Sequence, residues 1–173
     1  MGAMKTLHIV GFKNSGKTTL IARWVRLLKK EGLSVAVLKH HGHGGQPAMP
    51  DASTDTMQFF DNGADVSVVA GGGAVQLLLN AEPGFAELKR WASIGNPDIL
   101  LIEGYKEQRG EKVVLLRERE DLEALRSLDN IRLIVGCPGI TVDRTHIASR
   151  TEQQQLDSWL LDWIGKVNDS ETI

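Results

Sequence analysis

Residues 5–20 read KTLHIVGFKNSGKTTL, and the stretch Gly11–Thr18 within them matches the pattern G-x-x-x-x-G-K-[ST] at every fixed position. An apolar run of strand length ends before Gly11, and apolar residues at helical spacing follow from Lys17. In this context the backbone N–H groups of a glycine loop and of a helix N-terminus converge on phosphate oxygens. The sequence therefore predicts a P-loop, since a merely structural glycine turn would leave Lys17 and Thr18 unexplained.

Each residue type in this loop has a chemical task. Gly11 and Gly16 permit the loop shape and the close approach of a phosphate. Lys17 is predicted to bridge the β- and γ-phosphates and to be catalytic, and Thr18 to hold Mg²⁺ through its hydroxyl. The predicted nucleotide-binding residues of the loop are Gly11, Asn14, Ser15, Gly16, Lys17, Thr18 and Thr19.

Strand and helix candidates alternate along most of the chain. Strands are predicted at 5–10, 34–38, 66–70, 74–79, 99–102, 113–116 and 133–135. Helices are predicted at 17–31, 53–62, 85–94, 121–128 and 152–164. The first strand, loop, helix and second strand form a βαβ unit, which implies a parallel sheet with a right-handed crossover. We therefore predict an α/β fold, a single P-loop NTPase-like domain over residues 1–173 with a largely parallel central sheet flanked by helices.

Composition restricts the partners and the location. The chain of 173 residues is 42% apolar and 24% charged, as is ordinary for a globular domain, and its net charge of −2 argues against a nucleic-acid-binding surface. The single cysteine, Cys137, excludes an intrachain disulfide, and no run approaches the ~18 apolar residues of a membrane span. We expect a cytoplasmic protein without a signal peptide, and interpret Met1–Ala3 as a cloning remnant before a natural start at Met4.

An acid follows the aliphatic run 99–102. Glu103 is predicted as a second catalytic and metal-site residue, which holds a magnesium-bound water or orients an attacking water. Aspartate is the commoner acid at this place, and the alternative is a surface carboxylate just past a strand end. Asp98, at the opposite end of the run, is interpreted as structural.

The loop after the second predicted strand contains histidines and acids at the sheet edge where open α/β folds bind ligands. One interpretation is a switch-like segment that closes over the γ-phosphate, with His40 and His43 binding the nucleotide and Asp55 assisting Mg²⁺. A zinc site formed by histidines and carboxylates is a second interpretation, and a solvated polar loop is a third. The position of this loop at the ligand-binding edge of the sheet favours the switch-like interpretation.

Two features leave the base and the acceptor open. No N-K-x-D guanine-recognition sequence is present, so these residues do not reveal which base is bound. The arginines Arg109, Arg117 and Arg119 suit a kinase lid or an acidic ligand, although a solvated charged connection is the favoured interpretation.

Four segments together resemble the molybdopterin-guanine dinucleotide biosynthesis adapter proteins, the MobB family. They are GFKNSGKTTL (11–20), VLKHHGHGG (37–45), NGADVSVV (62–69) and ILLIEGYK (99–106). The resemblance spans roughly residues 5–117 and fades after Ile140. Residues 11–19 correspond to the family's phosphate loop and Glu103 to its second acid, whereas Asp55 matches the loop pattern and Asp51 is out of register.

The resemblance implies GTP binding with Mg²⁺, weak GTP hydrolysis, homodimerisation and partnership with the MobA-type guanylyltransferase that attaches GMP to molybdopterin. Slow turnover is expected because no arginine finger is identified, and the only glutamines between the loop and Glu103 are Gln58 and Gln76, neither compellingly placed. The alternative is a P-loop kinase of a small molecule or nucleotide, with Asp55 or Glu103 as base. A scaffold that binds nucleotide without hydrolysis is a third hypothesis.

Overall fold

The computed structural model describes residues 4–42, 45–136 and 145–165. The strands in these ranges are β1 Lys5–Gly11, β2 Val35–Lys39, β3 Val66–Gly71, β4 Ala74–Leu79, β5 Ile99–Glu103, β6 Glu111–Leu115, β7 Ile131–Val135 and β8 His146–Ile147. The helices are α1 Lys17–Lys30, α2 Asp55–Asp61, α3 Phe85–Ala92, α4 Glu120–Leu125 and α5 Gln153–Gly165. Residues 1–40 and 89–173 form one compact unit, unit 1, and residues 41–88 form another, unit 2. The expectation of one domain over 1–173 stays a prediction.

A parallel six-stranded sheet runs through unit 1 in the order β2-β5-β1-β6-β7-β8. Because strand β1 lies between β5 and β6, the end of β1 is flanked by the ends of two other strands. Ile9 is opposite Glu103, and Gly11 is opposite Leu115. This register brings the glycine loop and the predicted acid to the same edge of the sheet. The predicted α/β fold with a largely parallel central sheet is confirmed.

Helix α1 is attached to the sheet by an apolar face. Its buried residues recur at helical spacing and are Leu20, Ile21, Trp24 and Leu28. Helix α5 adds Leu156 and Leu160 to the same core. The Trp24 and Trp159 rings stack at 6.0 Å between their centroids, which joins the two helices. Full burial of each large apolar side chain contributes about 1.5–3 kcal/mol, so this face fixes where α1 begins relative to the sheet.

Unit 2 contains helix α2 and an antiparallel hairpin of β3 and β4. The Thr54 hydroxyl caps α2 by accepting a hydrogen bond from Met57 N at 3.4 Å. Ser67 is buried, and its hydroxyl donates to Thr56 O at 3.3 Å, so this face of the hairpin packs on the helix. Both strands were predicted, but they form their own two-stranded sheet and do not join the parallel one.

The structure departs from the sequence expectations mainly at element ends. Strand β6 begins at Glu111, two residues before the predicted start, and includes Lys112, which is fully buried and donates to Asp129 Oδ1 at 2.5 Å. Strand β8 was not predicted, since two residues carry no periodicity. Helix α4 ends at Leu125 and not at Leu128. No helix in the described part of the chain has the length and apolar character needed to cross a membrane.

Candidate phosphate-binding site

The glycine loop between β1 and α1 has a backbone that only glycine accommodates at two positions. A Cβ on Gly11 would lie 2.4 Å from Leu115 O and 2.7 Å from Ser15 Oγ, far inside contact distance. Gly16, at φ 93°, precedes the first residue of α1 in the left-handed conformation. The two fixed glycines of the motif are thus explained by packing against β6 and by the entry into the helix.

The N-terminus of α1 is an open anion-binding end. Gly16 supplies no side-chain cap, and the first turn contains no acidic residue. The first backbone N–H groups of a helix have no partner inside the helix, and its dipole favours negative charge there. Ser15 is fully buried, and its hydroxyl has no hydrogen-bond partner among the described residues. The loop therefore has unused donors at the end where a phosphate group is favoured.

Lys17 lies over the loop. Its Nζ donates to Phe12 O at 2.7 Å. Burial is the largest influence on the pKa of Lys17 and lowers it; the Glu103 carboxylate opposes this shift, and Lys39 reinforces it. An ammonium group that is poorly solvated in this way gains more than a surface lysine from a phosphate placed beside it.

Glu103 is a buried group at the end of β5, so it is not the surface carboxylate of the alternative interpretation. Its two oxygens accept from the Thr18 hydroxyl at 3.1 and 3.0 Å. Lys39 Nζ lies 3.3 Å from Glu103 Oε1 and 3.5 Å from Thr18 Oγ1. A positive charge is thus favoured between these oxygens. A hydroxyl and a carboxylate are ligands that suit Mg²⁺, which prefers oxygen.

His40 lies at the same edge. Its backbone N donates to Glu103 O at 2.9 Å, and its ring lies against Tyr105 with 4.6 Å between the ring centroids. The predicted partner His43 lies outside the described residues. The structure therefore brings His40 to Glu103, and the nucleotide-binding role of both histidines stays a prediction.

The acids of the predicted switch belong to unit 2. Asp55 is the first residue of α2, and its role as a metal ligand stays a prediction. Asp51 is engaged locally, since its carboxylate accepts from Ser53 N at 2.8 Å and from Ser53 Oγ at 2.6 Å. Within the described ranges, no group of three or more histidine, cysteine or acidic residues is close enough to hold a metal, so nothing there supports the zinc interpretation.

Asp98, which precedes the N-terminal end of β5, is remote from the glycine loop and makes structural contacts. Asp98 accepts from Ser34 N at 2.7 Å and from Ser34 Oγ at 2.6 Å, which ties β5 to the start of β2. These bonds lower the pKa of Asp98, the side-chain bond most. The structural interpretation of Asp98 agrees with these contacts.

Arg150 is a contact of the loop that the sequence did not reveal. Its Nη1 donates to Ser15 O at 2.8 Å, and its Cδ passes 3.2 Å from the place of a Cβ on Gly16. A cavity of about 360 Å³ opens beside it. Its lining includes Leu116, Arg117, Arg119, Gly136, Ser149 and Arg150. No motif surrounds Arg150 and 135 residues separate it from Ser15, so no local signal was available.

Of the three arginines singled out in the sequence, two line this cavity and the third does not. Arg117 is paired with Asp121 at 2.8 Å and lies over the Phe12 ring at 5.0 Å from its centroid. Arg109 is instead near Asp129, whose pKa it helps to lower after the larger effect of Lys112. The three do not form one cluster.

Known proteins match this chain over most of its length. The family model MobB, molybdopterin guanine dinucleotide synthesis protein B, matches residues 6–136. A probable molybdopterin-guanine dinucleotide biosynthesis adapter protein of Bacillus subtilis (strain 168) is 42% identical over 128 residues, which is 74% of each chain. The chain belongs to the MobB family. The resemblance seen in the sequence is confirmed, and with it a place among the adapters of molybdopterin guanine dinucleotide biosynthesis.

Solved MobB structures have the same fold. The crystal structure of Bacillus subtilis MobB has a TM-score of 0.78 at 34% identity and covers 91% of this chain and 97% of that chain. The MobB protein homolog from Bacillus stearothermophilus has a TM-score of 0.76 at 29% identity, with 94% and 99% covered. The stretch matched by the MobB family model ends at Gly136, so Ser149 and Arg150 of the cavity lie beyond it.

Proposed function

We propose that this MobB-family chain binds GTP with Mg²⁺ at the glycine loop, hydrolyses it slowly and assists the MobA-type guanylyltransferase that attaches GMP to molybdopterin. The observation that carries the proposal is the convergence of Lys17, Thr18 and Glu103 at the end of β1 and β5. GTP is the proposed nucleotide because the product named by the family contains a guanine nucleotide.

The phosphates are proposed to lie on the N-terminus of α1. The backbone N–H groups of Gly16, Lys17 and Thr18 are the donors that begin this helix. Lys17 would exchange its contact with Phe12 O for phosphate oxygens, because an ion pair stabilises a partly buried ammonium better than a carbonyl does. The loop would thereby hold the β- and γ-phosphates.

Mg²⁺ is proposed to lie at the Thr18 hydroxyl, with Glu103 holding one of its water ligands. The ammonium of Lys39 lies next to both groups, so a metal ion there would shift it aside. The metal and the γ-phosphate would then occupy the side of the loop that faces β5 and β2.

Slow hydrolysis agrees with the few catalytic groups that lie at the sheet edge beside the glycine loop. Gln58 is in α2 and Gln76 is in β4, so both glutamines considered for water positioning belong to unit 2. Two acids are buried among the described residues of unit 1: Glu103 already contacts Thr18 and Lys39, and Asp121 is paired with Arg117. A protein with these groups alone suits an accessory role better than fast turnover, since a supplied arginine is worth about 10³–10⁵ in rate.

A homodimer is the proposed assembly, and the hairpin supports it. The side chains on one face of the hairpin are all aliphatic: Val66, Val68, Ala70, Val75, Leu77 and Leu79. Val68 and Leu77 are directly opposite each other, and each is 57% exposed. A two-stranded hairpin is marginal by itself, and an exposed aliphatic sheet face is a typical interaction surface. A second copy of the chain is the occupant we propose for it.

Isothermal titration calorimetry with GTP and with ATP in Mg²⁺ tests the nucleotide proposal. We expect GTP to bind and ATP to bind more weakly, and Lys17→Ala to abolish the binding because the ammonium is lost. Lys29→Ala is the matched control, since Lys29 is an exposed lysine in the last turn of the same helix. ATP preference would contradict the guanine assignment and lead to a search for a kinase acceptor, whereas no binding of either nucleotide would contradict the phosphate site.

A further inference from the structure

The cavity beside the glycine loop lies on the side of β1 away from Glu103. Leu116 directly follows β6, Gly136 directly follows β7, and Ser149 comes two residues after β8. In the sheet order, β6, β7 and β8 lie on one side of β1, and β5 and β2 lie on the other. The cavity and the proposed metal position therefore flank the loop from opposite sides.

This arrangement gives a direction to any nucleotide held by the loop. If the γ-phosphate and Mg²⁺ lie towards Glu103, the α-phosphate and the nucleoside must leave the loop towards β6–β8. Arg150 marks that path, since its guanidinium is bonded to Ser15 O and its stem passes over Gly16. A volume of about 360 Å³ is enough for a base and its sugar, because small-molecule sites begin at about 300 Å³.

The charged side chains of the described lining are all hydrogen-bond donors. Three arginines contribute donors only, and none of the described lining residues is acidic. Guanine presents two adjacent acceptors, O6 and N7, which an arginine matches with two bonds. Adenine presents its N6 amino group in place of O6, and a donor that faces a donor leaves both groups unpaired. The arginine donors of the described lining thus suit the O6 and N7 acceptors of guanine better than the N6 amino group of adenine.

The three arginines are not equally available. Arg117 is bound to Asp121 by Nε at 3.0 Å and Nη2 at 2.8 Å, and Arg150 is bound to Ser15 O. The Arg119 side chain is exposed, and it makes no hydrogen bond or ion pair with any described residue. Its fork of donors is therefore free for a ligand.

We propose that this cavity is the base subsite of the nucleotide site and that Arg119 recognises guanine through O6 and N7. The proposal rests on nucleotide binding at the loop. The chain has no N-K-x-D guanine-recognition sequence, and we assign recognition of the base to residues after Leu115.

The test is a calorimetric series in Mg²⁺ with GTP, ITP, 7-deaza-GTP, ATP and inorganic tripolyphosphate. ITP keeps O6 and N7 and lacks only the 2-amino group, so we expect it to bind within about threefold of GTP. We expect 7-deaza-GTP, which lacks N7, and ATP to bind roughly tenfold or more weakly. Tripolyphosphate has no base and reports on the loop alone.

The variant Arg119→Gln should weaken GTP to the level of ATP and leave tripolyphosphate binding unchanged. Arg126→Gln is the matched control. Arg119 directly precedes helix α4 and Arg126 directly follows it, but Arg126 pairs with Glu123 and is not among the residues that line the cavity. ITP binding far weaker than GTP, or equal GTP affinities for the two variants, would overturn the base subsite while the phosphate site stands. Failure of the wild-type chain to bind tripolyphosphate or any nucleotide would overturn the proposed function, and the base subsite with it.

Discussion

At the scale of single residues, Glu103 is the group whose charge matters most to the proposed metal site. Its buried carboxylate contacts Thr18 and Lys39, and removal of the charge without a change of shape isolates that role. We expect Glu103→Gln to raise the Mg²⁺ concentration needed for half-maximal GTP binding about 10- to 100-fold, the usual effect of losing a group that orients a metal ligand. A magnesium titration at a fixed concentration of a fluorescently labelled GTP analogue, with its fluorescence as the signal, measures this concentration.

The matched control for this prediction lies at the other end of the same strand. Asp98→Asn removes a carboxylate that is bonded to Ser34 and is remote from the loop. Its magnesium titration should coincide with that of the unmodified chain. If the Glu103→Gln curve also coincides with it, Glu103 has no part in binding the metal.

How far single residues were predictable depended on whether their signal was local. Gly11, Lys17 and Thr18 follow one another closely, and the physical demands of phosphate binding fix their spacing. Glu103 was found because it ends an aliphatic run. Arg150 was not, since its contact with Ser15 arises only when β8 pairs with β7 at the edge of the sheet. A residue that reaches the site through a long-range tertiary contact has no recognisable sequence motif around it.

At the scale of secondary-structure elements, a pair of neighbouring leucines tests how α5 packs on the core that it shares with α1. Leu160 is fully buried in the core, whereas the adjacent Leu161 is 37% exposed. We expect Leu160→Ala to lower the free energy of unfolding by about 2–5 kcal/mol, because it removes buried carbons and leaves a cavity. Leu161→Ala, the same chemical change one residue later, should lower it by about 1 kcal/mol.

Urea unfolding followed by circular dichroism measures both variants. Equal losses for Leu160→Ala and Leu161→Ala would show that α5 does not pack in the described orientation. The helix was predictable because its apolar residues recur at a period that a surface helix requires. The start of β6 was less predictable, since the buried Lys112 contradicts the rule that charged side chains lie outside.

At the scale of the whole molecule, the sequence predicted the two strands of the hairpin but not their separation from the parallel sheet. Both strands are short, apolar and separated by Gly72 and Gly73, which predicts strands without naming their partners. Only pairing reveals that Val66, Val68 and Leu77 share one exposed face. That face is what gives the proposed dimer a physical basis in this chain.

The dimer prediction is tested by placing a charge on that face. Val68→Lys should yield a monomer, because a lysine buried between two hairpins would lose its hydration without gaining a partner. Gln76→Lys is the matched control: Gln76 is on the opposite face of the same hairpin, paired with Val69, and should leave the dimer intact. Sedimentation velocity over a range of protein concentrations measures the mass of each variant. A dimer that survives Val68→Lys, or one that Gln76→Lys disrupts equally, would place the interface elsewhere; a monomeric unmodified chain would contradict the dimer itself.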